Sequence, residues 1–318
     1  MKTLWPRPLP QGGTIGICSP AGPSSAVTLE RAARALEGRG YRVRVAPNAA
    51  ATHADLPYLG GSDDERLADL NGLLRDPSVD LILCARGGYG CARLLDGIDY
   101  AAARADPKPL VGYSDVTALS LALLARAGVV SFSGIMATAG DGFGQETLDP
   151  WSAASFFAAV GPRGDGEALT FASPADAAPW RIHRGPNAVR GPVAPVCLSL
   201  LVSLLGTPYM PDLTGAILVI EDVHEELYSI DRCLTQLRLA GVLARVSAVL
   251  IGWFNGVDAD TDARLAIDVP RVVLSLTPKS VAVASGVAYG HIARRFTLPV
   301  GAMANVDVRA GTFVFDNA

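Results

Sequence analysis

The chain has 318 residues, half of them hydrophobic and 18% charged, with a formal net charge of −4. That length suits two domains with real cores, and the lack of any Lys/Arg stripe interleaved with aromatics excludes a nucleic-acid partner. The N-terminus has no continuous apolar signal-peptide core and no later stretch reaches about 18 uninterrupted apolar residues, so a cytoplasmic protein without membrane contact is expected.

Taken in order, the first half alternates strand and helix. Residues 14–19 read as a buried strand, and Ser24 or Ser25 caps a helix reaching about Glu37, closed by Gly38 and Gly40. A second strand is expected over 41–46. Ser62 with Glu65 three residues later forms a capping box that opens a helix through Leu67, Leu70, Leu73 and Leu74. A third strand, 80–85, runs into Arg86-Gly-Gly-Tyr-Gly90 and a short helix near 91–95. The fourth strand, 109–113, ends at a sharp turn, Gly112-Tyr-Ser-Asp115, and a helix follows over 116–127, then a strand over 129–132. This βαβα series predicts an α/β fold with a mostly parallel sheet, whose sites gather at the carboxyl ends of the strands.

Residues 1–150 are therefore expected to form one domain. The stretch 151–193 is rich in breakers, as in Gly161-Pro-Arg-Gly-Asp-Gly166, and is expected to be a linker with a helix near 150–159 and some short strands. A second domain is expected over 194–318. It should contain helices over 198–205, 230–240 and 270–275, strands over 216–220, 248–253 and 281–284, and a closing β region over 296–315 with turns at Gly301 and Gly311. Five cysteines, at 18, 84, 91, 197 and 233, form an odd scattered set without C-x-x-C spacing and read as reduced core thiols.

Four features carry candidate chemistry. Ser114 sits where a strand-to-helix elbow would lift its hydroxyl above the sheet edge, close to free backbone N–H groups. The second glycine of a G-x-S-x-G elbow is replaced by Val116, so a capping serine is the competing reading. Arg86-Gly-Gly-Tyr-Gly90 could supply oxyanion-hole N–H groups; it lacks the Lys-Ser/Thr of a phosphate loop and the G-x-G-x-x-G spacing. Glu221 and Asp222 follow an apolar strand beside His224, where a carboxylate could orient an imidazole, and no metal-spaced His or Cys accompanies them. His291, flanked by Gly290 at a strand exit, is the best placed of four histidines to be an exposed base, and Arg232 could grip a substrate carboxylate.

Together, Ala85-Arg-Gly-Gly-Tyr-Gly90, Gly112-Tyr-Ser-Asp-Val-Thr-Ala-Leu119, Leu218-Val-Ile-Glu-Asp-Val-His-Glu225 with Tyr228-Ser-Ile-Asp-Arg232, and Gly290-His291 with Leu298-Pro-Val-Gly301 resemble the L,D-carboxypeptidase family of serine peptidases. The opening Ile17-Cys-Ser-Pro-Ala-Gly22 resembles it too. The resemblance implies a Ser-His-Glu triad of Ser114, His291 and Glu221, an oxyanion hole from backbone N–H groups of Gly88 and Asp115, and substrate binding by Arg86, Tyr89 and Arg232. It also implies a flavodoxin-like N-terminal domain, a C-terminal domain of the swivelling β/α/β type, no metal or other cofactor, and a homodimer acting on a small peptide or muropeptide. The implied activity is release of terminal D-alanine from murein tetrapeptides in cell-wall recycling.

Two segments depart from the family pattern, Ser133-Gly-Ile135 in place of His-Gly-Pro and Pro195-Val-Cys-Leu198 in place of Gly-Gly-Asn-Leu. Both bear on substrate choice. The alternatives are an amide hydrolase acting on aminoacyl-nucleotide antibiotics of the microcin C type, with Trp180 as a candidate for stacking on the base, and a non-catalytic binding protein on the same scaffold.

Overall fold

The computed structural model describes residues 3–140, 142–164 and 167–316. Asp141 and positions 165–166, which fall in the breaker-rich part of the sequence, lie outside the described residues.

The first half runs β1 (Thr14–Cys18), α1 (Ala26–Glu37), β2 (Arg42–Val45), α2 (Asp63–Arg75), β3 (Leu81–Cys84), α3 (Tyr100–Ala105), β4 (Leu110–Val111), α4 (Thr117–Ala127) and β5 (Ser131–Ser133). The caps read from the sequence are in place. Ser25 accepts a hydrogen bond from Thr28 N, and Ser62 and Glu65 satisfy each other's backbone N–H groups in a capping box. The strands β1, β3, β4 and β5 are almost wholly buried, as expected of a sheet covered on both faces. All five pair in parallel, in the order β2-β1-β3-β4-β5, which is the flavodoxin-like order.

The chain continues through α5 (Pro150–Val160), β6 (Leu169–Ala172), β7 (Arg181–Arg184), β8 (Ala188–Cys197), α6 (Leu198–Ser203), β9 (Ile217–Val223), α7 (Leu227–Leu239), β10 (Ala248–Asn255), α8 (Ala259–Leu276), β11 (Ala282–Ser285), β12 (Leu298–Val300), β13 (Met303–Asp307) and β14 (Thr312–Phe315). Among the described residues a second sheet runs in the order β6-β14-β13-β8-β9-β10-β11-β7. Its centre, β8 to β11, is parallel, and antiparallel strands close both edges. The chain is thus α/β, with a parallel sheet in the N-terminal half and a mixed sheet in the C-terminal half.

Several elements differ from the sequence reading. The stretch 151–193 supplies β6, β7 and the first half of β8, so it is woven into the second sheet. Its polar, breaker-rich character suits edge strands such as Arg181–Arg184, which present backbone to solvent. The helix expected over 270–275 begins eleven residues earlier, capped by Asp258, and carries Pro270 inside it. β12 pairs antiparallel with β5 and so completes the first sheet from the far end of the chain, Leu298 opposite Ser133. This return places the 286–297 loop between the two sheets.

Candidate active site

β4 is only two residues long, and the chain leaves it through Gly112. A Cβ at that position would sit 2.8–3.0 Å from the side chain of Val116, so only glycine allows so tight a turn. Ser114 follows with φ +63°, a left-handed backbone that an L-residue adopts only at a penalty of about 1–3 kcal/mol. A single 3-10 turn, Ser114–Val116, then feeds α4. No side chain caps either the turn or the helix, which removes the capping reading of Ser114. Its hydroxyl instead meets His291 Nε2 at 3.0 Å.

His291 comes from the loop between β11 and β12. Gly290 before it has φ +124°, and a Cβ there would approach Glu221 Cβ and the Trp253 carbonyl to 3.0 Å; glycine is required both for conformation and for space. The other ring nitrogen, Nδ1, lies 2.7 Å from Glu221 Oε2. Tyr113 presents its ring to the imidazole at 5.0 Å and 62°. Glu221 lies inside β9, completely buried, two residues before the strand ends rather than in the loop beyond it. The three side chains therefore meet across the seam between the sheets, the serine from one and the carboxylate from the other.

The electrostatics follow from that burial. Loss of water pushes the Glu221 carboxyl up, and the hydrogen bond and charge of His291 oppose the shift. For His291, burial pulls downward, but the hydrogen bond and charge of Glu221, helped by Asp222, hold the imidazole above its ordinary value. Asp222 itself is tied up by the backbone N–H groups of Ser199 and Val223.

In front of Ser114 lies a cavity of about 250 Å³ lined by Arg86, Gly87, Gly88, Tyr113, Met136, Thr138, Ala139, Gly140 and His291. Gly87 packs directly on the serine: a Cβ at 87 would lie 2.8 Å from Ser114 Cβ. Gly88, with φ +114°, lines the same cavity from the loop after β3, and Asp115 follows Ser114 in the 3-10 turn. Of the residues read as substrate-binding, Arg86 lines the cavity. Tyr89 is exposed on the same loop and packs on Tyr58, while Arg232 is held on α7 by the Ser229 hydroxyl at 2.8 Å and by the Tyr228 ring, away from the cavity lining.

Trp180 is not available for stacking on a ligand here. It is 6% exposed and packs edge-on against Phe313. The two departing segments are also buried: Ser133 bonds the Tyr289 hydroxyl at 2.7 Å, and Cys197 donates its backbone N–H to Thr117 and its thiol to Asp222. The cavity wall that sequence reasoning missed is Met136 to Gly140, an apolar and small-residue segment with no motif to announce it. Among the described residues, no group of three or more His, Cys, Asp or Glu side chains is placed to hold a metal ion, and no helix is long and apolar enough to cross a membrane.

Comparison with known proteins adds to this geometry. Residues 15–134 match the LD-carboxypeptidase N-terminal domain and residues 190–306 the LD-carboxypeptidase C-terminal domain. The chain is 33% identical over 314 residues to a Bacillus subtilis protein named "Probable murein peptide carboxypeptidase", covering 98% of this chain and 94% of the relative. Among solved structures, the muramoyltetrapeptide carboxypeptidase from Oxalobacter formigenes superposes with a TM-score of 0.77 at 29% identity, covering 96% of this chain and 99% of that one. The wild-type apo form of the microcin C7 self-immunity protein MccF superposes with a TM-score of 0.88 at 25% identity, covering 99% of each chain.

Proposed function

This chain belongs to the LD-carboxypeptidase family, and from that premise we propose that it is a serine-type L,D-carboxypeptidase releasing the terminal D-alanine of murein tetrapeptides. The observation that carries the reading is the unbroken chain from Ser114 through His291 to Glu221, at 3.0 and 2.7 Å. A serine hydroxyl is a poor nucleophile near neutral pH unless a base takes its proton as it attacks.

In the proposed reaction Ser114 Oγ attacks the carbonyl carbon of the diaminopimelate–D-alanine bond while His291 Nε2 accepts the hydroxyl proton. Glu221 holds the imidazole by Nδ1–H and stabilises the cation that forms. The oxyanion of the tetrahedral intermediate is received by the N–H groups of Gly88 and Asp115. His291 then protonates the leaving nitrogen, and D-alanine departs, leaving an ester on Ser114. Water enters, gives a proton to His291, and releases the tripeptide. Arg86, the guanidinium on the cavity wall, would pair with the carboxylate of the departing residue.

Arg86→Met is accordingly expected to raise KM for the tetrapeptide about 10- to 100-fold, the usual worth of a charge-assisted hydrogen bond, with a smaller effect on kcat. Steady-state kinetics of D-alanine release by the two proteins measures this, and an unchanged KM would remove Arg86 from the binding site. The reading itself is tested by whether the parent releases D-alanine from the tetrapeptide at all. It carries with it a cytoplasmic location and a homodimer, both expectations from the family.

A second reading, hydrolysis of aminoacyl-nucleotide amides, is favoured by the fit to the microcin self-immunity protein. The buried position of Trp180 argues against it in the form first expected, because no stacking face is offered by that ring. A purely binding role leaves the left-handed backbone of Ser114 without a purpose.

A further inference from the structure

The proposed reaction needs two backbone N–H groups held a fixed distance apart, yet they belong to separate loops. One follows β3 and the other follows β4. The pairing of those strands, Ile82 with Leu110 and Leu83 with Val111, ends before either loop begins. The loop after β3 is Arg86-Gly-Gly-Tyr-Gly90, and two of its glycines, Gly88 and Gly90, have φ +114° and +136°. Glycines impose no conformation of their own, so the position of this loop is set by what grips it: the Gly22 N–H holds its middle through the Gly87 carbonyl at 3.2 Å, and two further residues hold its ends.

The entry is gripped by Thr138, whose backbone N–H and hydroxyl both donate to the Ala85 carbonyl, at 2.7 and 3.0 Å. The exit is gripped by Asp115. Its carboxylate, 1% exposed, accepts the backbone N–H of Cys91 at 2.8 Å. Cys91 is the residue directly after the last glycine, and Asp115 is the residue directly after the nucleophile. A carboxylate this deeply buried is costly to keep unless it is hydrogen-bonded.

Resting on the triad reading above, we propose that the Asp115 side chain is a positioning residue: it clamps the exit of the 86–90 loop to the nucleophile elbow and so fixes the spacing of the two oxyanion N–H groups, Gly88 and Asp115. The residue thus acts twice. Its backbone N–H faces the developing charge, and its carboxylate holds the opposite donor in register. The Arg66 guanidinium, buried beside Gly90, backs the same corner, where a Cβ at position 90 would collide with it.

The test compares the parent with Asp115→Ala, Asp115→Ser and Asp115→Asn in two assays. One is D-alanine release. The other is phosphonylation of Ser114 by a fluorophosphonate, in which the Oγ–P bond forms, fluoride leaves, His291 takes the proton and the P=O oxygen occupies the oxyanion position. Ala and Ser, both too short to reach Cys91, should lower kcat and the phosphonylation rate together by about 30-fold, with KM within about threefold, because a misplaced oxyanion donor weakens the transition state and not the ground state. Asn, which keeps an acceptor at the same length, should recover both rates to within about threefold.

Near-UV circular dichroism matching the parent certifies the folded state of each variant, and the serine variant stands in should the alanine one not fold. Folded Ala or Ser variants within twofold of the parent in both rates, or a raised KM at unchanged kcat, would overturn the proposal. A parent that reacts with the fluorophosphonate no faster than Ser114→Ala would instead bring down the triad reading, and this inference with it.

Discussion

Ser114→Ala is expected to lower kcat for D-alanine release by about 10⁴- to 10⁶-fold while leaving KM within a few-fold, because the substitution removes the atom that forms the acyl bond and little that binds the ground state. The remaining rate comes from the oxyanion donors and from binding alone. His291→Ala should be nearly as damaging, since an unassisted hydroxyl is not ionised at neutral pH. The double variant should be little worse than either single one: groups that act as a unit fail as a unit. Losses that multiply in the double variant would mean that the two side chains act independently, despite their 3.0 Å contact. Alanine keeps the Cβ, so the left-handed strain at position 114 should persist in the variant.

The second large effect is expected from Glu221→Gln. The amide preserves volume in a fully buried site but cannot stabilise an imidazolium, and it can present its N–H₂ group to Nδ1 and so favour the wrong tautomer. A loss of about 10³- to 10⁴-fold in kcat is expected. The pH profile gives the sign. In the parent, Glu221 holds His291 above the ordinary imidazole value of about 6.5, so kcat/KM should rise with pH through a midpoint above that value, as the imidazolium loses its proton and becomes able to act as base. In the variant burial, which disfavours the cation, is opposed only by the charge of Asp222. The acidic limb should therefore move to lower pH even as the plateau falls. A limb that stays in place would show that the carboxylate does not set the imidazole's charge.

Much of this site was legible in the residues because its constraints are local. Gly112 and Gly290 mark backbone positions with no room for a Cβ, two residues before Ser114 and one before His291. The capping serines at 25 and 62 and the alternation of strand and helix depend on neighbours in sequence, so the first sheet could be read almost element by element. What could not be read depends on distant partners. Glu221 looks like a loop residue after an apolar run, but pairing with β8 and β10 carries β9 on to Val223 and buries the carboxylate. Pro270 reads as a helix start because proline lacks an N–H; in the fold it lies buried within α8, where packing outweighs the lost bond. Arg232 shows a charge suited to a substrate, and only the structure reveals that Ser229 and Tyr228 occupy it. Trp180 likewise shows an aromatic ring without showing that the ring faces Phe313. The contribution of β12 to the far sheet, across more than 160 residues of chain, leaves no local trace, yet it is what brings His291 to Ser114.

Acyl transfer at Ser114 from a murein tetrapeptide is the proposed reaction. It is tested most directly by incubating the parent and Ser114→Ala, in parallel, with L-Ala-γ-D-Glu-meso-diaminopimelate-D-Ala and with an aminoacyl sulfamoyl adenosine, and following both products by mass spectrometry. Release of D-alanine by the parent, its loss in the variant and a much slower cleavage of the adenosine compound are the predicted results. Cleavage of the adenosine compound with the tetrapeptide left intact, or D-alanine release that survives the loss of the Ser114 hydroxyl, would contradict it.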